Sequence, residues 1–337
     1  MARLHRARAL ALASPLLLGA CSAGDDATGA TSTSAAASTS ADGTAGSTST
    51  AAETATSTGA TTGATTGATS DATSTGGPLA CNGHPELCDR RLDQVTFPAT
   101  HNSFAATDEG FPPINANHHR PVAQQLADGV RGLLLDVTLD GDQTTLCHGP
   151  CFLASIPHAD LLADLADFLA QHPREIVLII YQDDVDAALV ESDFIDAGLD
   201  ALVWTWDGGP MPTLGAMIDA GTRLVVTAEV AGPPPAWYHH AWDVFWDTPY
   251  TFHSAAEFTC DLNRGAVDNP LFLVNHWLST DLDLPSEDGA KEVNAYAVLH
   301  ARASECAAAA GRPPTLLAVD FYESGDLFAV VDALNGL

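Results

Sequence analysis

Residues 175–182 read EIVLIIYQ, and the four consecutive apolar residues 177–180 (VLII) lie at the centre of this stretch. An unbroken apolar run of this length is typical of a strand that is buried on both faces, as in a parallel sheet covered by helices. Residues 224–226 (LVV) repeat the pattern further along the chain. The two runs therefore predict a parallel β-sheet within an α/β fold.

Amphipathic stretches alternate with β-rich runs along the rest of the chain, and apolar residues within 159–171 follow helical i, i+3/i+4 spacing. Repeated strand–helix units favour a (β/α) TIM-type barrel, distorted or incomplete, over an open doubly wound sheet. The chain contains no glycine-rich nucleotide-binding motif. Strands are predicted over 92–99, 130–139, 144–147, 175–182, 222–230, 270–278 and 315–322, and helices over 121–128, 159–171, 184–197, 214–220, 290–310 and 326–334.

The charge balance excludes whole classes of partner. The 337 residues carry 43 acidic and 13 basic side chains, a formal net charge of −30, and Lys291 is the single lysine. Such a polyanion offers phosphates no broad cationic surface, so we expect no nucleic-acid binding and no polybasic docking onto anionic lipid.

The N-terminus is typical of an export signal, because residues 1–8 are basic and residues 9–20 are apolar and too short to span a bilayer as a helix. Residues 18–21 (LGAC) resemble a bacterial lipobox, which predicts a lipoprotein signal peptide over 1–20 and lipidation of Cys21. An ordinary secretory signal is the alternative. Ser22 follows the cysteine, which favours the outer membrane or the cell surface of an envelope lipoprotein.

Residues 21–80 consist largely of Ala, Thr, Ser and Gly, so we expect a disordered tether between the lipid anchor and a folded domain over 81–337. Six cysteines remain after Cys21, and an even number in an exported chain indicates disulfides. Fifteen pairings of six cysteines are possible. The short spacings favour Cys81–Cys88, Cys147–Cys151 and, from what remains, Cys260–Cys306; a zinc site is the weaker alternative, since no CxxC pair occurs.

Polar, titratable residues follow nearly every predicted strand. Because barrel enzymes carry their chemistry at the carboxyl ends of the strands, these residues are expected to form a site. They are THNS at 100–103, Asp136, LCHG at 146–149, QDD at 182–184, Asn275-His276 and VDFYE at 319–323.

Four motifs, THNS, GVRGLLLDV at 129–137, LCHG and VDFY at 319–322, together resemble the phosphatidylinositol-specific phospholipase C X-domain family. The resemblance runs from about residue 92 to the C-terminus and is closest to the extracellular single-domain members of bacteria, fungi and plants. It implies a phospholipase C-like phosphoric diester hydrolase acting on an inositol lipid, with His101 as general base, His148 as general acid and Asp320 orienting the base. Two imidazoles suit these roles near neutral pH.

The charge that would stabilise the phosphate is harder to assign. Metal-independent bacterial members of the family carry an arginine two positions beyond an aspartate, whereas Leu134 and Asp136 stand at those positions here. By resemblance to calcium-dependent members, the Ca²⁺ ligands would be Asn102 and Asp136, with Gln182 in place of a glutamate and Asp183 beside it. Arg131 or Arg120 are alternative cations, although Arg131 should face away from the site and Arg120 precedes a helix.

Three tryptophans lie within residues 237–246, which could contact lipid or pack as a helix against the barrel wall. The expected partners are a phospholipid or other phosphodiester substrate and, through the N-terminal anchor, a membrane; the chain is expected to be a monomer. Alternative functions are a phosphodiesterase acting on glycerophosphodiesters or sphingolipids in the same barrel, and a catalytically degenerate module that binds lipid at the cell surface.

Overall fold

The computed structural model describes residues 79–337. The signal peptide over 1–20, the lipidation site Cys21 and residues 21–78 of the expected tether lie outside the described residues. These features therefore stay predictions.

Strands and helices alternate along the described chain. Within residues 79–337, no helix is both long enough and apolar enough to cross a bilayer. The strands are β1 (Phe97–Thr100), β2 (Gly132–Asp140), β3 (Gln143–Leu146), β4 (Ile156–Pro157), β5 (Val177–Asp183), β6 (Leu224–Ala228), β7 (His239–His240), β8 (Phe245–Asp247), β9 (Leu271–His276) and β10 (Leu316–Val319). The helices are α1 (Val122–Asp128), α2 (His158–Gln171), α3 (Ala187–Asp196), α4 (Leu214–Ala220), α5 (Ala241–Val244), α6 (Glu287–Val293), α7 (Tyr296–Ala310) and α8 (Leu327–Asn335).

Eight strands form one curled parallel sheet in the order β7-β6-β5-β2-β1-β10-β9-β8. Every neighbouring pair along this path is parallel, while β3 and β4 extend β2 as an antiparallel meander. No hydrogen-bonded ladder joins β7 to β8 in the described chain, and the single helical turn α5 connects these two edge strands. The structure confirms the predicted TIM-type barrel and shows where it is incomplete.

Alternate side chains of each strand divide between two hydrophobic layers. Leu178 and Ile180 of β5 belong to the cluster inside the curled sheet, with Val225 of β6. Val177 and Ile179 belong to the larger cluster between the sheet and the surrounding helices. Because the side-chain period of a strand is two, this division also decides which polar residues at the strand ends point into the barrel.

Several predicted elements differ in detail from the structure. The helix predicted over 290–310 is two helices, because the chain turns at Asn294, whose backbone oxygen and Cβ lie against Gly325. A Cβ at Gly325, which has a φ of 135°, would lie only 2.5 Å from Asn294, so glycine is required there. The tryptophan-rich residues 237–246 form β7, α5 and β8 instead of one helix, and Phe245 and Trp246 are buried in the barrel wall.

The three disulfides are Cys81–Cys88, Cys147–Cys151 and Cys260–Cys306, which confirms the predicted pairing. The first closes a short loop before β1, and the second closes the loop between β3 and β4. The third ties α7 to the connection that precedes β9. Each therefore fixes a connecting segment outside the parallel strands.

Candidate active site

A cavity of about 50 Å³ opens at the carboxyl ends of the parallel strands. Its floor includes the apolar side chains of Leu134 and Ile180, which the strand period directs into the barrel. Polar and aromatic side chains form the walls: His101, Asn102, Asp136, Gln182, Glu229, Tyr250, Arg264, Asn275 and Trp277. Residues from β1, β2, β5, β6 and β9, or from the turns that follow them, therefore meet at one rim, as predicted for this end of the barrel.

His101 follows β1 and is held on two sides. Its Nδ1 lies 2.9 Å from Oδ1 of Asp320, which is buried directly after β10. Its ring stacks on the indole of Trp277, with ring centroids 3.9 Å apart and an angle of 4° between the planes. A carboxylate at Nδ1 fixes the tautomer and leaves Nε2 for proton transfer. Asn117 Nδ2 donates to the same Asp320 oxygen at 3.0 Å and so fixes the carboxylate in turn.

His148 follows β3, in the loop closed by the Cys147–Cys151 disulfide. Its Nδ1 donates to the backbone oxygen of Asn115 at 3.0 Å, and the Asn115 side chain donates back to the backbone oxygen of His148. Burial lowers the pKa of His148, and the charge of His101 lowers it further. The hydrogen bond to Asn115 and the charge of Asp320 act in the opposite direction and raise this pKa.

Asn102 lies between His101 and Asp136 and has a left-handed φ of 46°, which asparagine tolerates better than most residues. With its amide nitrogen facing Asp136, Nδ2 donates to Oδ1 at 3.1 Å, and Oδ1 of Asn102 accepts from His101 Nε2 at 3.2 Å. Turned by 180°, the same amide would donate to a neutral Nε2 instead. Burial raises the pKa of Asp136 to about 6, and the charge of His101 opposes this rise.

The four residues expected to bind Ca²⁺ do not converge. Asp136 and Gln182 are paired neighbours on β2 and β5 and line the cavity with Asn102. Asp183 points to the opposite face of β5, where its two oxygens accept from the backbone N–H groups of Val230 (2.8 Å) and Ala231 (2.9 Å). Adjacent residues of a strand cannot both face the barrel interior, so Gln182 and Asp183 could not both be ligands.

The remaining oxygen donors do not fit a calcium ion. Calcium takes six to eight oxygens, usually with several carboxylates. Asp136 is the one carboxylate of the proposed set that lines the cavity, and with the amides of Asn102 and Gln182 it falls short of that number. No group of three or more His, Cys, Asp or Glu side chains within residues 79–337 is arranged to hold a metal ion.

Arg264 is the arginine that lines the cavity, and no sequence pattern pointed to it. Its guanidinium contacts Asp247 Oδ2 at 2.6 Å and Glu229 Oε2 at 2.8 Å. It lies over the ring of Trp242, 3.9 Å from the centroid, and also over Tyr250. Burial raises the pKa of Glu229 to about 7, although Arg264 opposes the rise.

The two arginines considered from sequence lie elsewhere. Arg131 pairs with Glu175 at 2.7 Å, beside a cavity of about 290 Å³ at the opposite end of the barrel. Arg120 is exposed and lies 3.4 Å from Asp108. Arg131 therefore faces away from the site, as the strand period predicted, and neither side chain lines the cavity.

Comparisons with known proteins bear on the same residues. The family PI-PLC X matches residues 87–335, which is most of the described chain. The chain belongs to the PI-PLC X family. Its four motifs and the alternation of strands and helices all lie within the matched range, so the resemblance inferred from sequence is confirmed.

Curated relatives extend the match. A fungal protein from Arthroderma benhamiae named PI-PLC X domain-containing protein 1 is 27% identical over 78% of this chain and 92% of its own length. An uncharacterized secreted protein of the same fungus is 27% identical over 76% of this chain. A PI-PLC X domain-containing protein of Arabidopsis thaliana is 28% identical over 73% of this chain. The aligned regions span 64% and 62% of these last two relatives.

Solved structures share the fold at low sequence identity. A pentafluoro-phenylalanine-containing phosphatidylinositol-specific phospholipase C from Staphylococcus aureus superimposes with a TM-score of 0.53 at 14% identity, covering 74% of this chain and 94% of that one. Another variant of the same enzyme gives a TM-score of 0.53 at 13% identity, with 74% and 93% covered. A phospholipase C-like barrel is therefore the fold of this chain.

Sequence analysis missed several residues of the site. Asn115 and Asn117 lie in the long connection between β1 and α1, where no periodicity points to them. Glu229 could have been found as the residue directly after a buried strand. Trp277 directly follows β9 and could have been found by the same rule.

Proposed function

We propose that this chain is a phosphodiesterase of the phospholipase C type that cleaves the phosphodiester of an inositol lipid by acid–base catalysis. One arrangement supports the proposal: His101, oriented by Asp320, follows β1, and His148, oriented by Asn115, follows the end of β3 that pairs with Val137 of β2. In both rings Nδ1 faces a fixed oxygen, so Nε2 is the atom that exchanges protons in each.

In the proposed reaction, Nε2 of neutral His101 takes the proton from the inositol 2-hydroxyl, and that oxygen attacks phosphorus. The bond from phosphorus to the glycerol oxygen breaks, and Nε2–H of protonated His148 gives its proton to the leaving oxygen. The products are diacylglycerol and a cyclic inositol phosphate. Because the attacking hydroxyl belongs to the substrate itself, little entropy is lost in reaching the attacking geometry.

The cavity walls support a headgroup that carries many hydroxyls. Arg264 presents a donor, whereas Glu229 and Asp136 present carboxyl groups whose pKa values are raised to about 7 and 6. Carboxyl groups that titrate near neutral pH can donate or accept hydrogen bonds to a polyol without repelling an adjacent phosphate strongly. Arg264 is the fixed positive charge beside them.

Exposed apolar side chains on the same rim support a lipid substrate. Phe152, in the β3–β4 connection, is 87% exposed, Val230 after β6 is 75% exposed, and Leu282 after β9 is 78% exposed. Large apolar side chains on a soluble protein surface often mark a contact with an apolar partner. Here they lie in connections that follow strands β3, β6 and β9, so we expect them to contact the acyl chains of the substrate.

Export is part of the proposal. Three disulfides are typical of an oxidising compartment, and a relative is named as secreted. We further propose that lipidation at Cys21 anchors a monomer to the cell envelope through residues 21–80. Incorporation of labelled palmitate by the full chain, and its loss in Cys21→Ser, would test the anchor.

A headgroup panel tests the reaction. The full chain is incubated with vesicles of phosphatidylinositol, phosphatidylcholine or sphingomyelin and with glycerophosphocholine, and products are followed by ³¹P NMR. We expect a cyclic phosphate from phosphatidylinositol and no turnover of the other three, because their choline headgroup carries no hydroxyl that could attack phosphorus. Turnover of sphingomyelin or glycerophosphocholine would favour the alternative phosphodiesterases, and binding of vesicles without turnover would favour a degenerate lipid-binding module.

A further inference from the structure

The three-residue segment 115–117 lies in the connection between β1 and α1. Through Asn115 it contacts His148, and through Asn117 it contacts the pair formed by His101 and Asp320. Asn117 Nδ2 lies 3.0 Å from Asp320 Oδ1 and 3.4 Å from His101 Nδ1. Two residues earlier, the backbone oxygen of Asn115 accepts from Nδ1 of His148 at 3.0 Å, and its side chain donates to the His148 backbone oxygen. Two residues of extended chain span only about 7 Å, so the segment joins the two imidazoles over a short distance.

The backbone of this segment is held firmly. The N–H of Asn117 donates to Ala105 at 2.8 Å, and the oxygen of Asn117 accepts from the N–H of Phe321 at 2.7 Å. The N–H of Asn115 donates to Pro112, and Ala116 between the two asparagines is fully buried. The segment therefore links the turn after β1 to the end of β10 and has little freedom to move.

The side-chain amide of Asn117 is buried and only partly hydrogen-bonded. Asn117 is 1% exposed, and its Oδ1 is buried without a hydrogen-bond partner in the described part of the chain. An orphaned buried oxygen destabilises the fold, so an apolar side chain would serve stability better at this position. What the amide does make is the hydrogen bond to Asp320, the carboxylate that faces His101.

We propose that Asn115 and Asn117 are positioning residues that hold the two imidazoles in a fixed relative orientation, with Nε2 of each facing the phosphodiester. The inference rests on the proposed function for its catalytic consequence. Asn117 acts through the orientation of Asp320, and Asn115 acts through the tautomer and loop position of His148. Because both contacts arise from one rigid segment, displacing it should misalign both rings together.

The experiment compares Asn115→Ala, Asn117→Ala and the double variant with a matched control, Asn335→Ala. Asn335 is buried at the other end of the barrel, where its amide bonds both to the N–H and to the oxygen of Thr96. Losing it should lower the melting temperature without changing kcat. On phosphatidylinositol vesicles we expect each of the two site variants to lose about 10–100-fold in kcat with KM changed less than threefold, because misplacement of reacting groups costs this much.

The kcat of the double variant tests the proposal more sharply than the kcat of either single variant. If the two asparagines act on one alignment, the double variant should lose less than the product of the single losses. Asn117→Asp keeps the shape and replaces the donor by an acceptor facing Asp320, so it should be as impaired as Asn117→Ala. A variant Asn117→Asp with wild-type kcat, independent and multiplicative losses, or an equal loss in Asn335→Ala would each overturn the proposal.

A second measurement needs no substrate and so separates this proposal from the proposed function. In ¹⁵N NMR of the full chain, neutral His148 should carry its proton on Nδ1, which faces the backbone oxygen of Asn115. Asn115→Ala keeps that oxygen but removes the side-chain hydrogen bond that holds the His148 backbone against it, so the variant should show a mixture of both tautomers. If the wild type turns over no phosphodiester, this tautomer change still supports the positioning role. An unchanged tautomer in Asn115→Ala would contradict the proposal whether or not the chain is an active enzyme.

Discussion

The two walls of the cavity hold their polar side chains in different ways. The histidine wall consists of His101, which lines the cavity, and of Asp320 and His148, which do not line it. Each imidazole is held by an oxygen at Nδ1, while Nε2 of His101 faces the amide of Asn102. The arginine wall consists of Glu229 and Arg264, which line the cavity, and of the fully buried Asp247. Its charged atoms are bound to one another in closed ion pairs.

The difference indicates that the two walls have different functions, proton transfer in one and substrate recognition in the other. A group that transfers protons needs an atom that can gain and lose one, and the histidine wall supplies two such atoms. A group that recognises a substrate needs a fixed direction, and Arg264 is fixed by two carboxylates and two aromatic rings. The histidine wall is therefore expected to govern kcat and the arginine wall to govern KM.

The largest expected effect comes from removing an imidazole. His101→Ala and His148→Ala should each lower kcat on phosphatidylinositol by about 10²–10⁴-fold, the usual contribution of a general acid or base. KM should change little, and circular dichroism should show an intact fold. If either variant kept full activity, or lost only affinity, the histidine wall would not be the catalytic one.

A smaller effect is expected on the arginine wall. Arg264→Lys keeps the charge but cannot reach Asp247 and Glu229 together, so KM should rise about tenfold while kcat stays within about threefold. Arg131→Lys is the matched control, since Arg131 also pairs with a glutamate and lies over the ring of Phe168, but at the opposite barrel end. An equal rise in KM in the control would show that the effect is not local.

His276 does not belong to the histidine wall, and we expect it to affect stability instead of catalysis. His276 at the end of β9 is fully buried, its Nε2 donates to Val293, and burial lowers its pKa to about 3. The unfolded chain, with a histidine pKa near 6.5, binds more protons between these values, so stability is complete above about pH 6.5 and falls as the pH drops.

This residue should contribute a slope of at most about 1.4 kcal/mol per pH unit over that window. Urea unfolding at several pH values would measure it, and His276→Gln, which cannot be protonated, should show a shallower slope. A slope that is unchanged in this variant would assign the acid sensitivity to other groups, such as the buried His118, whose pKa burial also lowers.

The smallest expected effect is that of calcium. Because Asp183 faces away from the cavity and Asp136 is the one carboxylate of the expected ligand set there, a chelator should change turnover of phosphatidylinositol less than about twofold. Titration calorimetry with Ca²⁺ should show no binding in the micromolar range. Activity that disappears with chelator and returns with Ca²⁺ would restore the calcium-dependent interpretation.

The sequence was most informative where function and local structure coincide. The continuous apolar run in β5 predicted a buried parallel strand, and the motifs at strand ends predicted that His101, Asp136, His148 and Asp320 lie near the carboxyl rim. Strand periodicity also predicted the outward direction of Arg131. These inferences need only a few neighbouring residues, which is why a single sequence could carry them.

The rest depended on contacts between distant segments. Arg264 reaches Glu229 across 35 residues and Asp247 across 17, and no local pattern marks such pairs. Strands β7 and β8 contain two and three residues, too few to display a period. The choice between Gln182 and Asp183 could have been made from sequence, because alternation from the interior residue Ile180 directs Gln182 inward.

The central claim is that His101 and His148 act on opposite sides of one phosphorus atom, as base and as acid. The most direct test compares the two alanine variants on phosphatidylinositol and on an inositol nitrophenyl phosphate, whose leaving group departs without protonation. We predict that the nitrophenyl ester restores His148→Ala to within about tenfold of wild type, while His101→Ala stays impaired by about 10²-fold or more. Equal impairment of both variants on both substrates, or rescue of His101→Ala instead, would contradict the account.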